Sequence, residues 1–176
     1  MVTLGNHAAS EAGSVFVTPK LFERIVESER AIIAIDTPRG DEVLAQFRQF
    51  ALRSGNSIYA WNEDDGLQSL REGDVSVPGS TRLQDALRYV GGSLHFGVYL
   101  FRGLTTMLRF SPVRTQTLAL LRQIGRTRPG GPSVRKLVLI DDKVALSDGI
   151  DEIAERFVDD PTQRRRIRLR DGRWVQ

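Results

Sequence analysis

Four apolar residues, Leu137-Val138-Leu139-Ile140, run directly into the acidic pair Asp141-Asp142. A strand that ends this way is what many nucleotide hydrolases use to hold magnesium. That chemistry also needs a phosphate-binding loop, Gly-x-x-x-x-Gly-Lys-[Ser/Thr]. Its backbone N–H groups cradle the phosphates, its lysine reaches the terminal ones and its hydroxyl binds the metal. None of the three lysines, Lys20, Lys136 and Lys143, is preceded by glycine or followed by Ser or Thr. The turn where such a loop would lie, Asp36-Thr37-Pro38-Arg39-Gly40, holds a single glycine. A Gly-x-Gly-x-x-Gly dinucleotide signature is missing as well. Without a phosphate loop, Asp141-Asp142 reads as a solvated strand end.

Other chemistries find equally little. His7 falls in a small, polar leader, and His95 falls on an expected strand as a core or edge residue. No His-Glu-x-x-His pattern and no Asp/His cluster has metal-ligand spacing. Ser10, Ser54 and Ser93 lie in no Gly-x-Ser-x-Gly elbow. Glu63-Asp64-Asp65 before Gly66 is either a cation site or, more simply, a turn at the sheet edge. No catalytic, metal or cofactor residue is expected, and the chain reads as a non-enzyme.

One cluster remains. Arg164, Arg165, Arg166, Arg168, Arg170 and Arg173 against Asp171 give residues 161–176 a charge of +5, so the total of +3 leaves the other 160 residues at −2. Asp171-Gly172 suits a two-residue turn joining two strands. In that register Leu169 faces Trp174, while Arg166, Arg168, Arg170 and Arg173 form a cationic face. Arg170 opposite Arg173 is a like-charge pair that an anion would relieve. Arg166, Arg168, Arg170, Arg173 and Trp174 are therefore the expected interaction residues. The preference for arginine over lysine fits phosphate or carboxylate pairing, and fits a coding bias more simply.

The elements that would position these residues alternate along the chain. Thr18-Pro19 opens a helix with Leu21, Phe22, Ile25 and Val26 on one stripe. Ala31–Ile35 is a wholly apolar strand, and residues 41–53 form a helix turning Val43, Leu44, Phe47 and Ala51 inward, with Gly55 as its cap. Ser57–Trp61 is a second strand. Ser80 or Thr81 caps a helix over 82–90, Leu94–Phe101 is a third strand, and Ser111-Pro112 starts a helix through Ile124. Lys136–Ile140 is a fourth strand, followed by a helix around 149–156 and a short fifth strand near Phe157-Val158. This order predicts an α/β fold: a three-layer, mostly parallel sheet with helices on both faces, like a degenerate P-loop NTPase, ending in a C-terminal β-hairpin.

At 176 residues, 40% hydrophobic and 27% charged, the chain fits one globular domain. The expected division is a disordered leader over 1–14, a single α/β domain over 15–160, and a basic hairpin or tail over 161–176. No stretch reaches the ~20 apolar residues of a membrane span. Zero cysteines exclude disulfides and thiolate metal sites. The cytoplasm is the expected compartment.

The order of elements resembles the N-terminal domain of FtsH-like AAA ATPases of bacteria and plastids, in which a degenerate α/β domain precedes the ATPase module. The segments that carry the resemblance are RAIIAIDTPRGDEVLAQFRQFA, SIYAWNEDDGLQSL, TRLQDALRYV, VYLFRGLTTML, TLALLRQIG and KLVLIDDKVALSDGIDEIAERFVDD, spread over about residues 19–160. Arg102 stands where that family's third strand often ends in an acidic residue, and Ser147-Asp148 replaces its usual proline. The resemblance implies a free-standing, catalytically inactive relative of the regulatory domain. Its function would be that of an adaptor that binds a protein partner, a separately encoded AAA-type ATPase. Two alternatives stand beside it. One is nucleic-acid binding through the arginine tail, with Trp174 stacking on a base. The other is an enzyme with an unrecognised site at the carboxyl edge of the sheet.

Overall fold

A computed structural model describes residues 19–126, 135–147 and 149–159. The expected leader, residues 127–134 and the whole basic tail, including Arg166, Arg168, Arg170, Arg173 and Trp174, lie outside the described residues. So do the expected hairpin and the family departure at Asp148.

The amphipathic segment after Pro19 forms α1 (Pro19–Glu27), and the apolar run that follows forms β1 (Ile32–Asp36). Then come α2 (Gly40–Ser54), β2 (Ile58–Asn62), β3 (Gly66–Ser69) and α3 (Leu83–Gly92). The chain continues through β4 (Gly97–Arg102), α4 (Leu104–Phe110), α5 (Arg114–Arg126), β5 (Arg135–Asp141), α6 (Ile150–Ile153) and β6 (Ala154–Val158). The strands make one sheet in the order β3-β2-β4-β5-β1-β6, parallel throughout except for the antiparallel β2–β3 pair.

Period-two alternation sends successive strand residues to opposite faces. Ile33 and Ile35 of β1 join Val98, Leu100, Val138 and Ile140 under α1 and α2. Ile32 and Ala34 join Phe101, Leu137 and Leu139 under α3, α4, α5 and α6. The result is the three-layer, P-loop-like α/β fold that the sequence predicts. Phe47 and Leu139 are fully buried, as their positions on the two patterns require. Gly55 closes α2 in the left-handed conformation, as expected.

Several local expectations change. The polar stretch after Trp61 contains β3, entered by a turn in which Asn62 Oδ1 accepts from the backbone N–H of Asp64 and Asp65 at 2.9 and 2.8 Å. Glu63, Asp64 and Asp65 are exposed there, which is the turn reading. Gly66 follows at φ 73°, and a Cβ on it would stand 2.4 Å from Ser80 Oγ and 2.8 Å from the Ser80 carbonyl carbon. Only glycine allows that approach. Ser80 caps no helix. It is buried, its hydroxyl accepts from Leu67 N–H and donates to the Val77 carbonyl, and its own carbonyl accepts from Trp61 Nε1. Thr81 is exposed, and α3 begins behind Arg82 with no side-chain cap.

The third parallel strand starts at Gly97 rather than Leu94, so His95 is an exposed loop residue and not a core or edge one. The helix expected from Ser111-Pro112 is preceded by a separate one, α4, and the helix around 149–156 is a single turn before β6 takes over. Among the described residues no helix is long and apolar enough to cross a membrane.

Candidate functional site at the carboxyl ends of the strands

The connection from β1 through α2 to β2 crosses one face of the sheet, while that from β5 through α6 to β6 crosses the other. The two leave neighbouring strands in opposite directions, which opens a crevice at the carboxyl ends of β1 and β5. Asp36 and Asp141 end these strands and are register partners.

The crevice is occupied by the protein's own side chains. Arg156 of β6 donates from Nη1 to both Asp36 carboxylate oxygens, at 2.7 and 2.8 Å. Its Nη2 donates to the Val144 carbonyl at 2.8 Å and to Asp151 Oδ1 at 2.7 Å. Asp36 Oδ1 also accepts from Val144 N–H at 2.8 Å. Burial alone would lower the Arg156 pKa, but hydrogen bonds and charge from Asp36 and then Asp151 outweigh it and raise the guanidinium above its ordinary value.

One residue further along, the Thr37 hydroxyl donates to Asp159 Oδ2 at 2.8 Å, and Arg39 Nη2 reaches the same oxygen at 2.9 Å. Thr37 Oγ1 in turn accepts from Arg39 N–H at 3.1 Å. The Asp159 side chain is 3% exposed, so its charge is held in the interior by that hydroxyl and guanidinium. Arg102, at the end of β4, pairs with Asp41 in the first turn of α2 and lies across Gly40, where a Cβ would meet its Nε. Thr37, Arg39, Arg102, Arg156 and Asp159 thus gather, paired with one another or with Asp36 and Asp41, around the turn where a phosphate loop would lie.

Of the acidic pair at the end of β5, Asp142 is exposed as expected. Asp141 is not simply solvated: its Oδ2 accepts from Thr105 N–H at 3.1 Å and so fixes the start of α4. Among the described residues no group of three or more His, Cys, Asp or Glu side chains is arranged to hold a metal ion. Arg156 and Asp159 escaped sequence reading because their partners lie about 120 residues away. The only sequence signal was Asp36 itself, an acidic residue closing a wholly apolar strand.

A second feature lies at the opposite end of β4. Tyr89, Leu94 and Phe96, around the α3–β4 connection, are 43, 84 and 37% exposed. Beside them Tyr99 stacks on Tyr59 and donates its hydroxyl to Ser93 Oγ at 3.1 Å.

Residues 18–162 match the family of SpoVK-like AAA ATPase N-terminal domains. No curated protein matches the chain. The match spans most of the sequence, and the chain belongs to that family. It supports the AAA N-terminal part of the resemblance and not its FtsH-like branch.

Proposed function

From that membership we propose that the domain is a non-enzymatic regulatory or adaptor unit that binds a protein partner, an AAA-type ATPase. The observation that carries this reading is the filled crevice. Asp36 and Asp159 are neutralised by Arg156 and Arg39, and the β1–α2 turn offers Thr37, Pro38 and Arg39 in place of a glycine-rich loop. A triphosphate entering there would have to displace two partly buried ion pairs and would meet a turn without the glycines that let a phosphate loop wrap it. The partner half of the reading is supported by the exposed Tyr89, Leu94 and Phe96, since a patch of large apolar residues around one loop is what docking surfaces present.

Calorimetry with magnesium ATP and magnesium GTP tests the first half. Dissociation constants weaker than about 1 mM are expected, and micromolar binding of either overturns it. Affinity purification from the native cell tests the second. An AAA ATPase should co-purify with the natural chain and be lost with Leu94→Asp. Equal recovery on both chains would remove the apolar patch from the interface.

A further inference from the structure

Beside that crevice lies a half-open cavity of about 320 Å³ lined by α4, α5 and the loop 143–147. Its inner wall is apolar: Leu108, Leu118, Val144 and Leu146 are all buried. Its outer lining is basic, with Arg109, Arg114 and Lys143 exposed. One further wall, Arg156 and Asp151, is a closed ion pair and adds little net charge. Arg114 donates to Ser147 Oγ at 2.8 Å, whereas Arg109 and Lys143 make no ion pair or hydrogen bond among the described residues. Thr105 also lines the cavity. It is 7% exposed, and its hydroxyl has no hydrogen-bond partner among the described residues.

A buried hydroxyl without a partner costs free energy, and native structures hold few of them. Arg109 and Lys143, which have no ion-pair partner among the described residues, place positive charge at the rim of an apolar pocket. Both features suit the same guest, one that brings negative charge and a hydrogen-bond acceptor on an apolar body. The volume holds roughly ten waters' worth of space, enough for a ligand of about ten to fifteen non-hydrogen atoms.

We propose that this cavity is a binding site for a small organic carboxylate with an apolar body. Arg109 and Lys143 hold the carboxylate, Thr105 donates to it, and Leu108, Leu118, Val144 and Leu146 enclose the apolar part. Inorganic phosphate satisfies only the charged half of the site, and a neutral alcohol only the apolar half. The site lies outside the β1–α2 turn and stands independently of the adaptor reading.

The test is a titration of the isotope-labelled full chain, followed by amide chemical shifts. The probes are octanoate, 1-octanol and inorganic phosphate. Octanoate should saturate shifts at Thr105, Leu108, Val144 and Leu146 with a dissociation constant of about 1 mM, the affinity expected of a ligand this small. Octanol and phosphate should each bind at least about fivefold more weakly at those amides. Arg109→Ser with Lys143→Ser should weaken octanoate about tenfold. Both residues are exposed, so the variant keeps its fold. Thr105→Val should weaken octanoate by a few-fold. The proposal is overturned by any one of three results: no saturable octanoate shift up to about 10 mM, equal binding of octanol or phosphate, or undiminished octanoate binding by the double variant.

Discussion

The crevice at the carboxyl ends of β1 and β5 and the cavity beside α4 sit at the same end of one sheet and are both lined by arginine, yet they treat that charge in opposite ways. In the crevice the cations close on carboxylates of the same chain: Arg156 on Asp36 and Asp151, Arg39 on Asp159. In the cavity Arg109 and Lys143 close on nothing described, and Thr105 keeps an unused hydroxyl. Charge that is satisfied internally serves architecture, while charge left facing an apolar pocket is available to a ligand. The two regions should therefore respond to substitution in different currencies, stability for one and binding for the other.

The largest effect is expected in the crevice. Arg156→Ala leaves the Asp36 carboxylate, whose side chain is 14% exposed, with the Val144 N–H but without its guanidinium. Because Arg156 is one-third exposed, water offsets part of the loss, and a destabilisation of about 2–3 kcal/mol is expected in urea unfolding. Adding Asp36→Asn removes the stranded charge but keeps an acceptor for Val144, and should recover about 1 kcal/mol. Additive losses would mean that the pair contributes no more than its separate parts.

Thr37→Val comes next. The substitution keeps the shape of a side chain that is 1% exposed, but removes the donor to Asp159 and the acceptor for Arg39 N–H. A loss of about 1–2 kcal/mol is expected, again by urea unfolding.

What the sequence disclosed follows the same division. The wholly apolar runs Ala31–Ile35 and Leu137–Ile140, which mark strands buried on both faces, and the helical stripe through Val43 and Phe47 are local patterns that name the element and what it buries. The parallel sheet followed from them. β3 was illegible because Gly66-Leu67-Gln68-Ser69 offers one strongly apolar residue in four, and its pairing is fixed by Asn62 and by Ser80 from outside. α4 was missed because Leu104–Phe110 is short and carries Thr105-Thr106, poor helix formers, at its start. Neither the crevice nor the cavity has a local signature. Arg156 and Asp36, or Thr105 and Val144, meet only through the fold, and an isolated arginine in sequence says nothing about whether a carboxylate awaits it.

A second sealed charge, at the amino ends of the strands, sharpens the contrast through pH. Lys136 is fully buried and donates from Nζ to the carbonyls of Ser28 and Arg30, the latter at 2.8 Å. Burial lowers its pKa below the ordinary 10.5, against an opposing pull from Glu155. Between the folded value and 10.5 the unfolded chain holds a proton that the native chain has lost, so stability rises with pH across that window. Burial raises the Tyr59 and Tyr99 hydroxyls above 10.0, and their contribution falls as pH rises past that point. Unfolding free energies measured below pH 10 should therefore climb toward alkaline pH in the natural chain and climb less in Lys136→Met. Equal slopes would show that Lys136 keeps its ordinary affinity for the proton.

The smallest expected effect is the most discriminating, because its sign separates the two regions. Thr105→Val is the same chemical change as Thr37→Val, made in a side chain almost as buried. Thr37 loses two hydrogen bonds, whereas Thr105 loses a hydroxyl that has no partner among the described residues. Its backbone N–H on Asp141 is untouched by the substitution. Removing a desolvated hydroxyl that bonds to nothing relieves a penalty, so Thr105→Val should leave stability unchanged or raise it by up to about 1 kcal/mol. That outcome, beside a clear loss for Thr37→Val, would mean that the hydroxyl at 105 contributes nothing to the fold. A loss of about 1 kcal/mol or more at both positions would mean that the Thr105 hydroxyl finds a partner in solution, and the cavity would then be as sealed as the crevice.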